Sequence, residues 1–433
     1  MSSQLISNNI KDKDNDITIK IAVAGNVDSG KSTLAGVLLN DCLDDGRGKC
    51  RKMILRNKHE QETGRTSCIS FNNLVIKNEE NRKILSFIDL AGHEKYLKTT
   101  IFGLTGLFVD YGLVLIGSNM GITKMTKEHL GILVYLKIPI IIVLTKTDIC
   151  PDNVYDKTEK SLRRILKLPL FNSRSYFFPK DEDKCTLEMS KFLELKNPLE
   201  TFIPVISISN KTGENVDNLK KLLYNLESKK HWSKDINGGI MYIDSTFQVR
   251  GIGLVLSGTL RGKSIKVNQH LWLGPINNKF IEVRVRSMHN NVRENINQLD
   301  DGQVGCFAIK FIGKEEISRE NIKKGVLLFD NPDFIKNVSR KFKAEIQVLN
   351  HSTTIRDNYQ PVLHCGSVRQ SAKLKIIDNI TSNNNKDKNN LRTGSKAIVE
   401  FEFSFRSEFI EEGTTFFFRD GATKGFGTIL DVL

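Results

Sequence analysis

No C-x-x-C pair and no paired-histidine spacing occurs in this sequence, although it holds seven cysteines: Cys42, Cys50, Cys68, Cys150, Cys185, Cys306 and Cys365. An odd, scattered set excludes a disulfide framework and a zinc site, and it argues for a reducing compartment. Long hydrophobic runs are missing too. A membrane helix needs roughly 18 uninterrupted apolar residues, whereas the longest candidate here, "IPIIIVL" at 138–144, has the length of a strand. The opening "MSSQLISNNIKDKDND" has neither an apolar core nor a basic run. Residues 1–16 therefore read as a disordered leader and not as a signal peptide. A soluble, cytoplasmic protein without a membrane role is expected.

What is present is length and positive charge. A chain of 433 residues exceeds a single compact core, so two to four domains are expected. The formal charge of +14 is shared between both halves of the chain. It favours a polyanionic partner such as RNA over the plain solvation of a surface, which an excess of this size can also serve.

Residues 17–230 alternate short apolar runs with amphipathic helical stretches, the pattern of a parallel sheet covered by helices. The strand candidates are 17–25, 84–90, 111–118, 138–146 and 202–209, with helical stretches such as 31–43 and 158–168 between them. The segment 169–199 is longer than a simple connection and receives no assignment. After residue 231, β-branched runs alternate with glycine-containing turns every eight to twelve residues, as in all-β barrels or sandwiches. Pro332, in "DNPDF", marks a further boundary. Two β domains are expected, over 237–331 and 337–433, behind an α/β domain at 17–230. The tract "TSNNNKDKNN" at 381–390 reads as a loop tip in the last of them.

The first strand candidate runs straight into "GNVDSGKS", Gly25 to Ser32, which fits G-x-x-x-x-G-K-[ST] between a strand and a helix. Gly25 and Gly30 let the backbone curl so that the amides of Asn26, Val27, Asp28, Ser29 and Thr33 surround phosphate oxygens. Lys31 reaches the β- and γ-phosphates, and the Ser32 hydroxyl ligates Mg²⁺. This loop alone leaves ATP and GTP open. The fourth strand ends in "TKTD", Thr145 to Asp148, where a carboxylate can accept hydrogen bonds from guanine N1–H and its 2-amino group. Adenine offers neither donor, and a buried polar group left unmet discriminates strongly. Lys146 lies over the base, and "SNK", Ser209, Asn210 and Lys211, follows the fifth strand at the O6 edge.

The stretch "FIDLAGHEKY", Phe87 to Tyr96, then takes a role. Asp89 is expected to hold Mg²⁺ through water, and the Gly92 amide to hydrogen-bond a γ-phosphate oxygen. His93 stands where a water-positioning side chain is required, because in-line attack on phosphorus needs orientation more than covalent chemistry. Thr66, in "ETGRTSCIS", is the candidate second Mg²⁺ ligand.

These residues resemble the translational GTPases typified by elongation factor Tu and eukaryotic elongation factor one-alpha. "GNVDSGKST", "DLAGHEKY" and "TKTD" are similar to that family's nucleotide motifs. Residues 249–275 resemble the opening of its second domain, and 342–374 with "FRDGATKGFGTI" its third. Residues 32–67, together with "TKTD" and "SNKTGEN", resemble the branch called GTP-binding proteins one and two. The resemblance implies an α/β P-loop GTPase domain, a mostly parallel sheet with helices on both faces, followed by two all-β barrel domains. It implies GTP/GDP and Mg²⁺ as cofactors, and Thr66 as the switch ligand. It implies a monovalent cation at Asp28 and an apolar gate at Val27. Two departures stand out: Thr145 replaces an asparagine, and Arg65 replaces an apolar gate residue.

The function implied is a slow GTPase, stimulated by the ribosome and working as a monomer with aminoacyl-tRNA or other RNA. An exchange factor or RNA-decay proteins are further partners. The alternatives are a ribosome-rescue or mRNA-turnover GTPase without tRNA delivery, and a metabolic GTPase subunit of the sulfate-activation type.

Overall fold

The computed structural model describes residues 16–55, 69–77, 82–171, 173–229, 236–313, 317–381, 390–421 and 423–433. Its first half is organised by β1 (Asp16–Gly25), whose β-branched residues Ile19, Ile21 and Val23 are buried. A strand apolar on both sides needs a neighbour along each edge and helices across its faces. β1 accordingly pairs in parallel with β3 (Arg82–Asp89) and with β4 (Tyr111–Gly117). β5 (Ile140–Thr145), β7 (Phe202–Ser207) and β6 (Arg174–Phe177) extend the sheet on one side, and β2 (Ser70–Lys77) closes the other as an antiparallel edge. Among the described residues the order is β2-β3-β1-β4-β5-β7-β6.

β1, β3, β4, β5 and β7 were visible as apolar runs. β2 was not, because its "SFNNLVIK" mixes Asn72 and Asn73 into a half-buried edge. The unassigned segment 169–199 contributes β6 and a helix, Glu182–Glu194, whose Cys185, Met189 and Phe192 face the core. Four residues are too few to show a period, which is why β6 escaped notice.

The chain divides into two compact units, with the α/β residues apart from Thr105–Phe108 in one and both β domains in the other. In the first β domain, six antiparallel strands close a ring among the described residues. Gly239–Val249 pairs with Gly253–Gly262, then Val304–Phe311, Lys279–Asn290, His270–Ile276 and Leu327–Phe329 follow, the last returning to the first. The second ring runs Lys341–Asn350, Lys396–Phe403, Val368–Asn379, Val362–Cys365, Thr415–Asp420 and Thr423–Val432, and closes on Lys341–Asn350. Burial alternates along Lys279–Asn290 and along Lys341–Asn350, the period-two signature of a filled barrel. Phe342, Phe401, Phe403, Phe416 and Phe418 fill the second barrel.

The turn Pro332–Asn337 joins the barrels, with Asn331 accepting from Asp333 N–H as its cap. Phe409 of the second barrel packs edge-on against Phe334 and Tyr242, at 6.3 and 6.4 Å between ring centres. Arg261 reaches Glu411 at 3.4 Å beside them. An aromatic cluster and a mostly buried ion pair therefore hold one barrel to the other.

Candidate nucleotide-binding site

The site grows from the end of β1. Gly25 has a φ of +146°, and a Cβ there would stand 2.4 Å from the Leu115 carbonyl oxygen, so only glycine fits against β4. Asp28 (φ +60°) and Gly30 (φ +86°) turn the loop back into helix α1 (Lys31–Asn40). The Asn26 carbonyl inside the loop accepts from Ser29 Oγ and from Lys31 Nζ, each at 2.8 Å. Lys31 is buried, which lowers its pKa, while the charges of Asp89 and Asp28 work in the opposite direction. A buried ammonium resting on one loop carbonyl is a donor that an anion can recruit. Val27, Ser32 and Thr33 are half-buried, and Asp28 is exposed.

Neighbouring strand ends meet this loop. Asp89, fully buried at the end of β3, accepts from Ser32 Oγ at 2.6 Å. A hydroxyl and a carboxylate oxygen side by side form a hard-oxygen set that suits Mg²⁺. Among the described residues no group of three or more His, Cys, Asp or Glu side chains could hold a metal. Thr66 and Arg65 lie outside the described residues. Gly92 is buried so tightly against the loop that a Cβ would meet Lys31 Nζ at 2.5 Å and the Asn26 carbonyl carbon at 2.7 Å. His93, one residue on, is exposed; its Nδ1 accepts from Lys95 N–H at 3.1 Å, and its ring meets the edge of Tyr96. The structure thus brings Asp89 and Gly92 onto the phosphate loop, and holds His93 at the surface beside it in sequence.

At the other end Thr145, fully buried, donates to the Ser29 carbonyl at 2.8 Å. Its hydroxyl braces the phosphate loop instead of facing a base. Lys146 takes a left-handed φ of +62°, which turns the chain toward Asp148. Asp148 is exposed and accepts from Ser209 Oγ at 2.8 Å, and that hydroxyl also accepts from the N–H groups of Lys211 and Thr212. Ser209 therefore orients the carboxylate and shapes its own loop at once. Asn210 Nδ2 lies 3.5 Å from where a Cβ of Gly30 would stand. Its Oδ1 is buried without a hydrogen-bond partner among the described residues. A polar atom left unmet at a strand end fits a pocket that awaits a ligand.

One residue of this site was not read from the sequence. His129, on the helix Lys124–Tyr135, is fully buried, and its Nδ1 accepts from Gly25 N–H at 3.2 Å. Burial, helped by the Lys31 charge, pushes its pKa down to about 3, so the ring is neutral and can accept. Among Met125, Leu130, Ile132 and Leu133 it looks like an ordinary core histidine, and no local signal ties it to Gly25.

The first barrel carries a separate groove of about 1060 Å³, where Arg286, Lys310 and Arg319 stand around apolar Leu254, Ile309 and Phe311. Glu320, Gln248 and Ser318 line the same groove, so its wall mixes three basic groups with one acid and with neutral polar side chains.

A strand-to-helix phosphate loop, a D-x-x-G turn on the adjacent strand and a T-K-x-D loop, carried ahead of two closed barrels, define the class of translational GTPases. Residues 16–229 match the family model for the elongation factor Tu GTP binding domain, and residues 335–433 that for the elongation factor Tu C-terminal domain. The chain belongs to this elongation factor Tu-type family of GTPases. It is 40% identical to GTP-binding protein 1 of Xenopus laevis, with 97% of this chain and 64% of that protein aligned. It is 35% identical to GTP-binding protein 2 of Homo sapiens, over 99% of this chain and 72% of that one. The chain thus spans just under two thirds of the length of the first relative. The same fold occurs in translation elongation factor SelB from Methanococcus maripaludis in complex with the GTP analogue GppNHp (TM-score 0.68, 21% identity, 97% and 80% covered). It occurs too in the S. cerevisiae Ski7 GTPase-like domain bound to GTP (TM-score 0.69, 16% identity, 95% and 97% covered). The likeness to elongation factors and to the one/two branch read from the sequence therefore holds. Among the described residues no helix is long and apolar enough to cross a membrane.

Proposed function

We propose that this protein is a GTP-hydrolysing switch that handles aminoacyl-tRNA at the ribosome. The observation that carries the nucleotide reading is the convergence of Lys31, Asp89, Gly92 and Asn210 on one loop. In that reading Lys31 leaves the Asn26 carbonyl for the β- and γ-phosphate oxygens, and the loop amides from Asn26 to Thr33 bind the rest. Ser32, Asp89 and Thr66 hold Mg²⁺, which neutralises phosphate charge when bound. Asp28 contributes to a monovalent cation site. Asp148, oriented by Ser209, accepts from guanine, while Asn210 and Lys211 meet its O6 edge. Gly92 N–H binds the γ-phosphate, and His93 orients the water that attacks it, giving GDP and phosphate. The exposed position of His93 supports slow hydrolysis until the ribosome turns the ring inward. His93→Ala is therefore expected to keep nucleotide affinity and lose ribosome-stimulated turnover; stimulated single-turnover rates that stay unchanged would refute the role.

The tRNA part rests on the basic groove of the first barrel and on the net charge of +14. An odd number of cysteines without C-x-x-C spacing supports a cytoplasmic setting, and an exchange factor is a further expected partner. Filter retention of aminoacylated and deacylated tRNA, with GTP and with GDP, tests the proposal. Preference for the aminoacylated form with GTP supports it. RNA retention without that preference favours a rescue or mRNA-turnover GTPase, and no retention favours a metabolic GTPase subunit.

A further inference from the structure

The connection after α1 and the first turn of helix α2 (Lys49–Ile54) carry two thiols, Cys42 and Cys50, that the nucleotide reading does not use. Cys42 is half-buried, Cys50 is fully buried, and their sulfurs stand 3.3 Å apart. The backbone around them is already fastened. One carboxylate oxygen of Asp44 accepts from the N–H groups of Gly46 and Gly48, and the other from Cys50 N–H at 3.0 Å. The two helices touch so closely that a Cβ on Gly36 would meet the Cys50 carbonyl at 2.3 Å.

The same segment supports the guanine loop. Asp44 N–H donates to the Asn210 carbonyl at 2.9 Å. Gly46 lies against the Lys211 side chain, and Leu43 against Gly213. Asp41, just ahead, pairs with Lys220 at 2.6 Å. Whatever holds residues 42–50 rigid therefore holds the loop at 209–213.

We propose that Cys42 and Cys50 form a redox-responsive pair which closes to a disulfide under hydrogen peroxide and, on closing, locks the support of the guanine loop. The Cys42 sulfur, the more accessible of the two, attacks the peroxide; the O–O bond breaks, water leaves, and Cys42 becomes a sulfenic acid. The Cys50 sulfur then attacks Cys42, the S–O bond breaks, and hydroxide departs with the Cys50 proton as a second water. Two thiols have lost two electrons and two hydrogens, and one peroxide has become two waters. A dithiol reductant reverses the bond. Intracellular disulfides are characteristically transient of this kind, so the pair is consistent with an otherwise reduced protein. Loss of nucleotide requires the 209–213 loop to move off the base, and the closed pair opposes that movement. This last step rests on the proposed guanine site.

The test uses the full chain loaded with fluorescent GDP, treated with hydrogen peroxide and alkylated before non-reducing peptide mass spectrometry. The expected result is a Cys42–Cys50 linked peptide, lighter by two hydrogens than its reduced parts, that dithiothreitol removes. Cys42→Ser and, separately, Cys50→Ala should abolish it. GDP release should slow several-fold on oxidation of the unsubstituted chain and stay constant in Cys42→Ser. Sulfinic acid or a glutathione adduct at Cys42 with Cys50 still free overturns the pair, and a linked peptide with unchanged release overturns the lock. Because the bond is read by mass, a chain that takes up no guanine nucleotide yet forms it would refute the nucleotide site and leave the redox pair standing.

Discussion

A lysine and a histidine decide the electrostatics of the phosphate loop. Lys31 is buried beside two carboxylates, and His129 lies beneath the loop, held neutral by burial and by the Lys31 charge. A neutral imidazole accepts from Gly25 N–H, whereas an imidazolium would present a donor to a donor. Replacing His129 by leucine keeps the volume and removes the acceptor, leaving an amide unmet at a cost of roughly 1–3 kcal/mol. Nucleotide titration should report a correspondingly weaker GDP affinity. The pH dependence has a definite sign. A pKa depressed from 6.5 to about 3 gives stability that is full above 6.5 and is lost as pH falls through that window. Calorimetry between pH 7 and pH 4 should find the loss shallower in His129→Leu. Residue types were legible at Lys31, Ser32 and Asp89 because each stands at a fixed offset in a short motif. His129 was not, because its partner is 104 positions away.

At the level of elements, the strand ends matter more than the strands. β1, β3, β5 and β7 stop in one row because they run parallel, and the loops that follow them share an edge of the sheet. The loop after β3 approaches β1's loop so closely that Gly92 has no room for a side chain. Two of the atoms in the way are backbone, at Asn26 and Gly25, and cannot rotate aside. Gly92→Ala is therefore expected to push the β3 loop away and weaken GppNHp binding by roughly tenfold or more, the equivalent of about 1.4 kcal/mol. GDP, which lacks the phosphate that the Gly92 amide is proposed to sense, should lose less; equal losses in a fluorescence competition assay would remove Gly92 from that role. β1, β3, β4, β5 and β7 were legible from their apolar runs, while β2 and β6 were hidden by polar edge residues and by brevity.

For the molecule as a whole, the junction between the barrels is the place where acidity acts. Glu408 is fully buried; Arg406 Nε and Gln370 Nε2 donate to its Oε1, and Oε2 has no partner among the described residues. Arg406 also reaches the Lys324 carbonyl of the first barrel, and a Cβ on Gly325 would stand 2.4 Å from Oε2. Burial pushes the Glu408 pKa up to about 7, with Arg406 opposing. A raised pKa means stability that is full below 4.5 and is lost as pH rises through 7. Glu408→Gln, which imitates the protonated acid, should flatten that slope and stabilise the barrel pair at pH 8 by up to roughly 3 kcal/mol. Thermal unfolding followed from pH 5 to pH 8 checks it; a variant that tracks the parent across the range removes Glu408 as the cause.

Sequence alone determined what depends on neighbours along the chain: alternation that makes barrels, apolar runs that make a parallel sheet, and motifs whose residues lie within eight positions of one another. These are local because backbone geometry repeats over a few residues. Tertiary structure alone decided which distant groups meet. It seated His129 under Gly25, turned Thr145 to the phosphate loop, laid the Cys42–Cys50 segment against Asn210, and left Glu408 sealed between two barrels. Such contacts follow from strand order and helix packing, and no period along the sequence encodes them.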